Sequence, residues 1–207
     1  MTKKHPIFAP VHLIYPLRFC MTDSIHNALQ VLRSGGVILY PTDTVWGIGC
    51  DATNPQAVQR VLDIKHSIDK KGMIVLVDSI DSVAKYFNNI PPIAWDLLEC
   101  ADKPLTLILP QAVGVAPVLI PKEGTLAIRV PKHDFCHQLL TRFGRPLVST
   151  SANISGQSTP LSFDMIDPVI RDAVDFVVDP QWEGTPSRKP SSIIQLGAGG
   201  EVSIIRP

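Results

Sequence analysis

The chain of 207 residues has the length of one large domain and can bury a core without disulfide or metal staples. Hydrophobic residues make up 45% and charged residues 18%, a balance that excludes a disordered chain. The formal net charge is zero, which excludes attraction to nucleic acid or a membrane by global charge and leaves only a local basic patch for such contacts.

Residues 1–20 read as an extended arm set apart from the rest, or as sequence preceding a start at Met21. Pro6, Pro10 and Pro16 break the apolar stretch from Ile7 to Leu17 too often for a signal-peptide core. Nowhere is there a run of 18 apolar residues, so no transmembrane helix is predicted and a cytoplasmic location is expected. Residues 21–207 are expected to form one domain. Asp23 and Ser24 can cap a helix carrying Ile25, Ala28, Leu29, Val31 and Leu32, which Gly35-Gly36 stops. Val37 to Tyr40 reads as a buried strand ended by Pro41. Asn54-Pro55 starts a second helix through Ala57, Val58, Val61, Leu62 and Ile64. Met73–Val77 is a strand, Ser79 caps a short helix through Phe87, and Ile93–Leu98 is helical. Leu105–Leu109 and Leu126–Val130 are strands, Phe135–Leu140 is a helix, and Pro146-Leu147-Val148 enters another strand. Val174–Val178, Ser192–Leu196 and Val202–Ile205 complete the set, the last two joined in a hairpin through Gly197–Gly200. Alternating strands and helices with a terminal hairpin predict an α/β protein with one open, twisted, mixed sheet. Cys20, Cys50, Cys100 and Cys136 are widely spaced, without a Cys-x-x-Cys pair, and read as reduced, mostly buried thiols.

Three segments carry candidate chemistry. Pro41-Thr42-Asp43-Thr44-Val45-Trp46-Gly47-Ile48-Gly49 follows the first strand, where open α/β sheets place ligand groups. It packs two hydroxyls and a carboxylate beside an aromatic ring and two glycines, although an ordinary polar turn also accounts for it. Lys65, at the end of the second helix, is followed by His66, Ser67, Lys70 and Lys71. That cluster is either a solvated cap favoured by the helix dipole or a clamp on phosphate oxygens. Ser149-Thr150-Ser151-Ala152-Asn153-Ile154-Ser155-Gly156 sets short donors and acceptors directly after an apolar strand. Such a set can bind phosphate or carboxylate; a capping turn explains only one or two of its residues. No Gly-x-x-x-x-Gly-Lys-Ser/Thr motif occurs.

The Pro-Thr-Asp-Thr-Val-Trp-Gly segment, Lys-Pro-Leu-Thr-Leu-Ile-Leu-Pro (103–110), Leu-Ala-Ile-Arg-Val-Pro (126–131) and Ser-Thr-Ser-Ala-Asn-x-Ser-Gly together resemble the YrdC/YciO family. They occur in the family's order, and the resemblance spans about residues 23–207 in its short form, without an appended C-terminal domain. It implies a YrdC-like sheet with a concave, positively lined cavity. It also implies threonylcarbamoyl-AMP synthase activity, in which L-threonine, bicarbonate and ATP with Mg2+ give threonylcarbamoyl-adenylate and pyrophosphate for tRNA modification. By resemblance, Lys65, Thr106, Ser151, Asn153 and Arg206 serve ATP, while Thr42, Arg129 and either Ser191 or Ser192 serve threonine, and no side-chain nucleophile is implied. Thr42 is thus expected at the amino-acid end of a cavity, and Ser151 and Asn153 at its nucleotide end.

Two positions depart from the family pattern. Ser67 replaces the arginine of a Lys-x-Arg motif begun by Lys65, a loss of one charge-assisted contact, about 1.5–3 kcal/mol, which Lys70 or Lys71 can partly offset. Trp46 stands where tyrosine or phenylalanine is usual. Two other readings are a YciO-like nucleotide binder with different or weak activity, favoured by Ser67, and a non-catalytic double-stranded RNA- or tRNA-binding module. The module needs Lys65, Lys70, Lys71, Arg129, Lys132, Arg142 and Arg145 on one face. Partner proteins of tRNA modification are also compatible, and no membrane contact is expected.

Overall fold

In the computed structural model, which describes residues 21–66 and 72–207, chain order sets strands β1 (Ile38–Tyr40), β2 (Gly47–Gly49), β3 (Ile74–Leu76), β4 (Leu105–Leu109) and β5 (Leu126–Arg129), followed by β6 (Leu147–Ser151), β7 (Phe176–Val177), β8 (Ser192–Leu196) and β9 (Val202–Arg206). The helices are α1 (Met21–Arg33), α2 (Pro55–Ile64), α3 (Ile93–Glu99), α4 (Asp134–Phe143) and α5 (Pro168–Ala173). The strands form one nine-stranded sheet in the order β7-β1-β2-β6-β3-β5-β4-β8-β9. Pairs β1/β7, β3/β5 and β4/β8 are parallel and the others antiparallel, so the sheet is mixed as predicted. The arm at residues 1–20, Cys20, Ser67, Lys70 and Lys71 lie outside the described residues.

Local sequence explains the element ends. The Asn54 side chain accepts the N–H groups of Gln56 (3.0 Å) and Ala57 (3.1 Å), with Pro55 at the first helical position, so α2 starts where two otherwise unpaired donors are satisfied. Gly35 takes φ 81° after α1 and Gly144 takes φ 70° at the end of α4, backbone states that a side chain would strain. The segment after Ser79 is a 3-10 helix, Asp81–Tyr86, and Ser79 Oγ accepts the Ser82 N–H at 3.3 Å.

Apolar faces of α1, α2 and α4 and of the central strands make one core. Ile25, Leu32, Val58, Val61, Phe135 and Leu139 meet Val37–Tyr40, Leu107, Ile128 and Val148, all essentially without solvent contact. β2 was not anticipated. It is three residues long and two of them are glycine, and its existence depends on pairing with β1 and β6 rather than on propensity. At Gly49 a Cβ would lie 2.3 Å from the Val148 carbonyl oxygen, so the close approach of β2 to β6 requires glycine. A second difference concerns β6. The hydroxyl segment does not follow the strand; Ser149, Thr150 and Ser151 are the strand, paired with Ile74 on one side and with Ile48 and Gly47 on the other. Its backbone is therefore fixed at the centre of the sheet, beside the Thr42–Trp46 loop. No helix among the described residues is long and apolar enough to cross a membrane.

Candidate functional site

A cavity of about 170 Å³ opens where the β1–β2 loop, the C-terminal end of β6, the last residue of β5 and the β9 end converge. Thr42, Trp46, Arg129, Ser151, Ser191 and Arg206 all line it, although they come from points across the chain. Thr106, Asn153 and Lys65 stand one bond behind that wall. Thr106 Oγ1 and Ser191 Oγ are 2.7 Å apart. Ser151 Oγ donates to Asn153 Oδ1, and the Asn153 amide donates to the carbonyls of Ile154 (3.0 Å) and Gln157 (2.9 Å). Asn153 thus folds the loop that follows β6 and faces a second, more open cavity with Asp164 and Arg171. Of Ser191 and Ser192, Ser191 reaches the cavity; Ser192 opens β8, its N–H donating to the Pro104 carbonyl at 3.0 Å.

Lys65 is 6% exposed, and its Nζ donates to the carbonyls of Ser151 (2.6 Å) and Asn153 (2.7 Å). Its own carbonyl accepts the Ser155 N–H at 3.0 Å, so three bonds stitch the end of α2 to the end of β6. Burial pulls the ammonium pKa down to about 8. The residue is therefore no solvated cap.

The wall formed by the β1–β2 loop and Arg129 is a directed network. Arg129 Nη1 donates to Thr44 Oγ1 (3.1 Å) and Nη2 donates to Asp43 Oδ1 (3.1 Å). Thr42 Oγ1 donates to the Val45 carbonyl at 2.7 Å, so the 2.9 Å contact between the two threonine hydroxyls has Thr44 as donor. Arg129 and Asp43 form a buried ion pair, their side chains 3% and 8% exposed. Arg206 Nε donates to the Ser191 carbonyl at 2.7 Å, and burial, reinforced by the nearby Arg129 charge, lowers its pKa. Two guanidiniums thus border one small cavity, an arrangement suited to an anionic ligand.

The inventory offers no activated nucleophile among the described residues. Burial pushes the thiols of Cys50 and Cys136 well up, away from thiolate, and Cys136 Sγ donates to the Pro41 carbonyl at 3.3 Å. No group of three or more His, Cys, Asp or Glu side chains among the described residues is placed to hold a metal ion. Of the basic residues that an RNA-binding face would need, Arg129 is buried in its ion pair, Arg145 pairs with Asp51 at 2.9 Å and Lys132 Nζ donates to the Ala101 carbonyl. Asp43 and Thr44, which hold Arg129, lie in a segment expected to carry chemistry but have no individual role among the expected site residues. Their signal was a carboxylate between two threonines directly after a strand, but the partner lies 86 residues on.

Trp46 is buried against Phe163, ring centroids 5.0 Å apart, with its carbonyl accepting the Ala152 N–H at 3.0 Å. The larger ring shapes the cavity wall and braces the loop after β6.

The chain is 37% identical over 174 residues to a threonylcarbamoyl-AMP synthase of Pseudoalteromonas translucida, covering 83% of this chain and 92% of that protein. It superposes on P. abyssi Sua5 complexed with L-threonine with a TM-score of 0.77 and 28% identity, over 86% of this chain; it spans 52% of the Sua5 chain, about half its length. E. coli YciO gives a TM-score of 0.76 and 26% identity, covering 88% of this chain and 87% of that one. Residues 30–207 match the Sua5/YciO/YrdC family model, whose description is "Telomere recombination", and the chain belongs to that family.

Proposed function

We propose that this chain is a threonylcarbamoyl-AMP synthase, a nucleotidyltransferase that makes threonylcarbamoyl-adenylate and pyrophosphate from L-threonine, bicarbonate and ATP for threonylcarbamoyladenosine modification of tRNA. The observation that carries the reading is one cavity bordered by Arg129 and Arg206 and lined by Thr42, Ser151 and Ser191, in a chain similar over most of its length to a synthase. In this reading Arg129 meets the threonine carboxylate, and Arg206, Ser151 and Lys65 serve the triphosphate. The threonine nitrogen adds to bicarbonate with loss of water, and a carbamate oxygen then attacks the α-phosphorus as the bond to the β-phosphate oxygen breaks. Such chemistry needs positioned reactants and charge stabilisation rather than a side-chain nucleophile.

Magnesium belongs here as the counter-ion that accompanies ATP. The described residues do not fit a resident metal, because Asp43, the carboxylate in the cavity wall network, is spent on Arg129 and on the Lys132 N–H. The YciO likeness and Ser67 favour a second reading, a nucleotide binder without threonine chemistry. Pyrophosphate release from Mg-ATP and bicarbonate separates the two. The synthase reading expects release that rises at least about tenfold on adding L-threonine, given that transition-state positioning depends on the bound amino acid. Release independent of threonine, or none, contradicts it.

A further inference from the structure

Arg129 has to present its guanidinium at a defined angle if it is to recognise a carboxylate, and the structure contains a device for this. Its Nε is buried without a hydrogen-bond partner among the described residues, so only Nη1 and Nη2 locate the group. Each terminal nitrogen carries two protons and spends one, on Thr44 Oγ1 and on Asp43 Oδ1 respectively. One proton per nitrogen remains to be donated to a ligand in the cavity, which Arg129 lines.

Asp43 also ties the surrounding walls together. Its second carboxylate oxygen accepts the Lys132 N–H at 3.1 Å, which fixes the segment after β5, and its carbonyl accepts the Ser187 N–H at 2.9 Å. The Thr44 carbonyl accepts the Arg188 N–H at 3.0 Å, so the segment leading to Pro190 and Ser191 hangs on the same two residues. Asp43 supplies the counter-charge too: without it, two guanidiniums share one cavity uncompensated.

We infer that Asp43 is a positioning residue for amino-acid recognition: it holds the Arg129 guanidinium in place at the cavity for the substrate carboxylate, and this inference rests on the proposed function. Asparagine matches the shape of aspartate but offers one oxygen and one N–H2, so it cannot accept from both Arg129 Nη2 and Lys132 N. Asp43→Asn therefore turns the guanidinium.

The test uses the full chain and compares wild type with Asp43→Asn. The expected result is a rise of about tenfold in KM for L-threonine with KM for ATP changed less than about twofold, because only one substrate meets Arg129. L-threonine amide, which lacks the carboxylate, supplies a readout that a merely structural role would not move. Its inhibition constant relative to the threonine KM should narrow by a similar factor in the variant. Where Asp43→Asn does not fold, Thr44→Val, which removes the Nη1 acceptor, should show the same one-sided split. A lowered Tm with both KM values unchanged, or both KM values rising together, overturns the inference. Calorimetric titration of L-threonine into wild type keeps the two claims distinct. No threonine binding by wild type overturns the functional reading and the inference with it, whereas normal wild-type turnover without the split overturns the inference alone.

Discussion

Arg129→Met lowers kcat/KM for L-threonine by at least about a hundredfold, since a charge-assisted contact and the orientation it imposes are lost together. Turnover at saturating ATP reports this without any change in ATP affinity beyond a few-fold. The same variant leaves Asp43 buried without its partner. Breaking a buried pair costs about 3–5 kcal/mol, which for a domain of this size lowers Tm by about 10 °C. The double variant Arg129→Met/Asp43→Asn separates the two effects. It recovers most of the thermal loss, because neither charge remains buried, and none of the threonine use. Thermal unfolding and steady-state kinetics on the single and double variants check both halves.

Lys65→Met weakens ATP binding about ten- to hundredfold, the range for one charge-assisted contact, and leaves threonine binding within a few-fold. It also strands the carbonyls of Ser151 and Asn153 that Nζ now satisfies, so part of the effect comes through a loosened β6 loop. The pH dependence isolates the charge. Burial pulls the Lys65 pKa down from 10.5 to about 8, so the ammonium is present below that pH and is lost as pH rises through it. ATP binding to wild type, measured by calorimetry, should weaken progressively above about pH 8, while Lys65→Met shows no such decline. Stability runs the other way. A lysine whose folded pKa lies below its unfolded value penalises folding while charged, so the penalty is complete below about 8 and fades toward 10.5. Wild type thus gains stability from this group over the interval in which it loses ATP.

Much of the frame was legible because it depends on local chemistry. Asn54-Pro55 announced α2 through capping, and the apolar runs at 105–109 and 126–130 marked β4 and β5. α5 was missed although Asp167 and Pro168 carry a readable start, since six residues give less than two turns of periodicity. β2 and the extension of β6 through Ser151 were illegible for a different reason. Glycine is a poor strand former and serine reads as a turn residue, and the pairing of β2 with β6 joins residues about a hundred positions apart. In the cavity, single residues were found and their connections were not. Lys65 was read as a phosphate clamp at a helix end, but its burial and its grip on the β6 loop are tertiary facts. Asp43 was visible in its motif and silent about Arg129 until the fold joined them.

The central claim is that one cavity joins threonine, bicarbonate and ATP, and the most direct measurement is the mass of the nucleotide formed from 13C-bicarbonate. With L-threonine and Mg-ATP present, the account predicts threonylcarbamoyl-adenylate heavier by one mass unit, formed together with pyrophosphate and absent when threonine is withheld. An adenylate without the label, or AMP and pyrophosphate with no threonine-containing product, would contradict it.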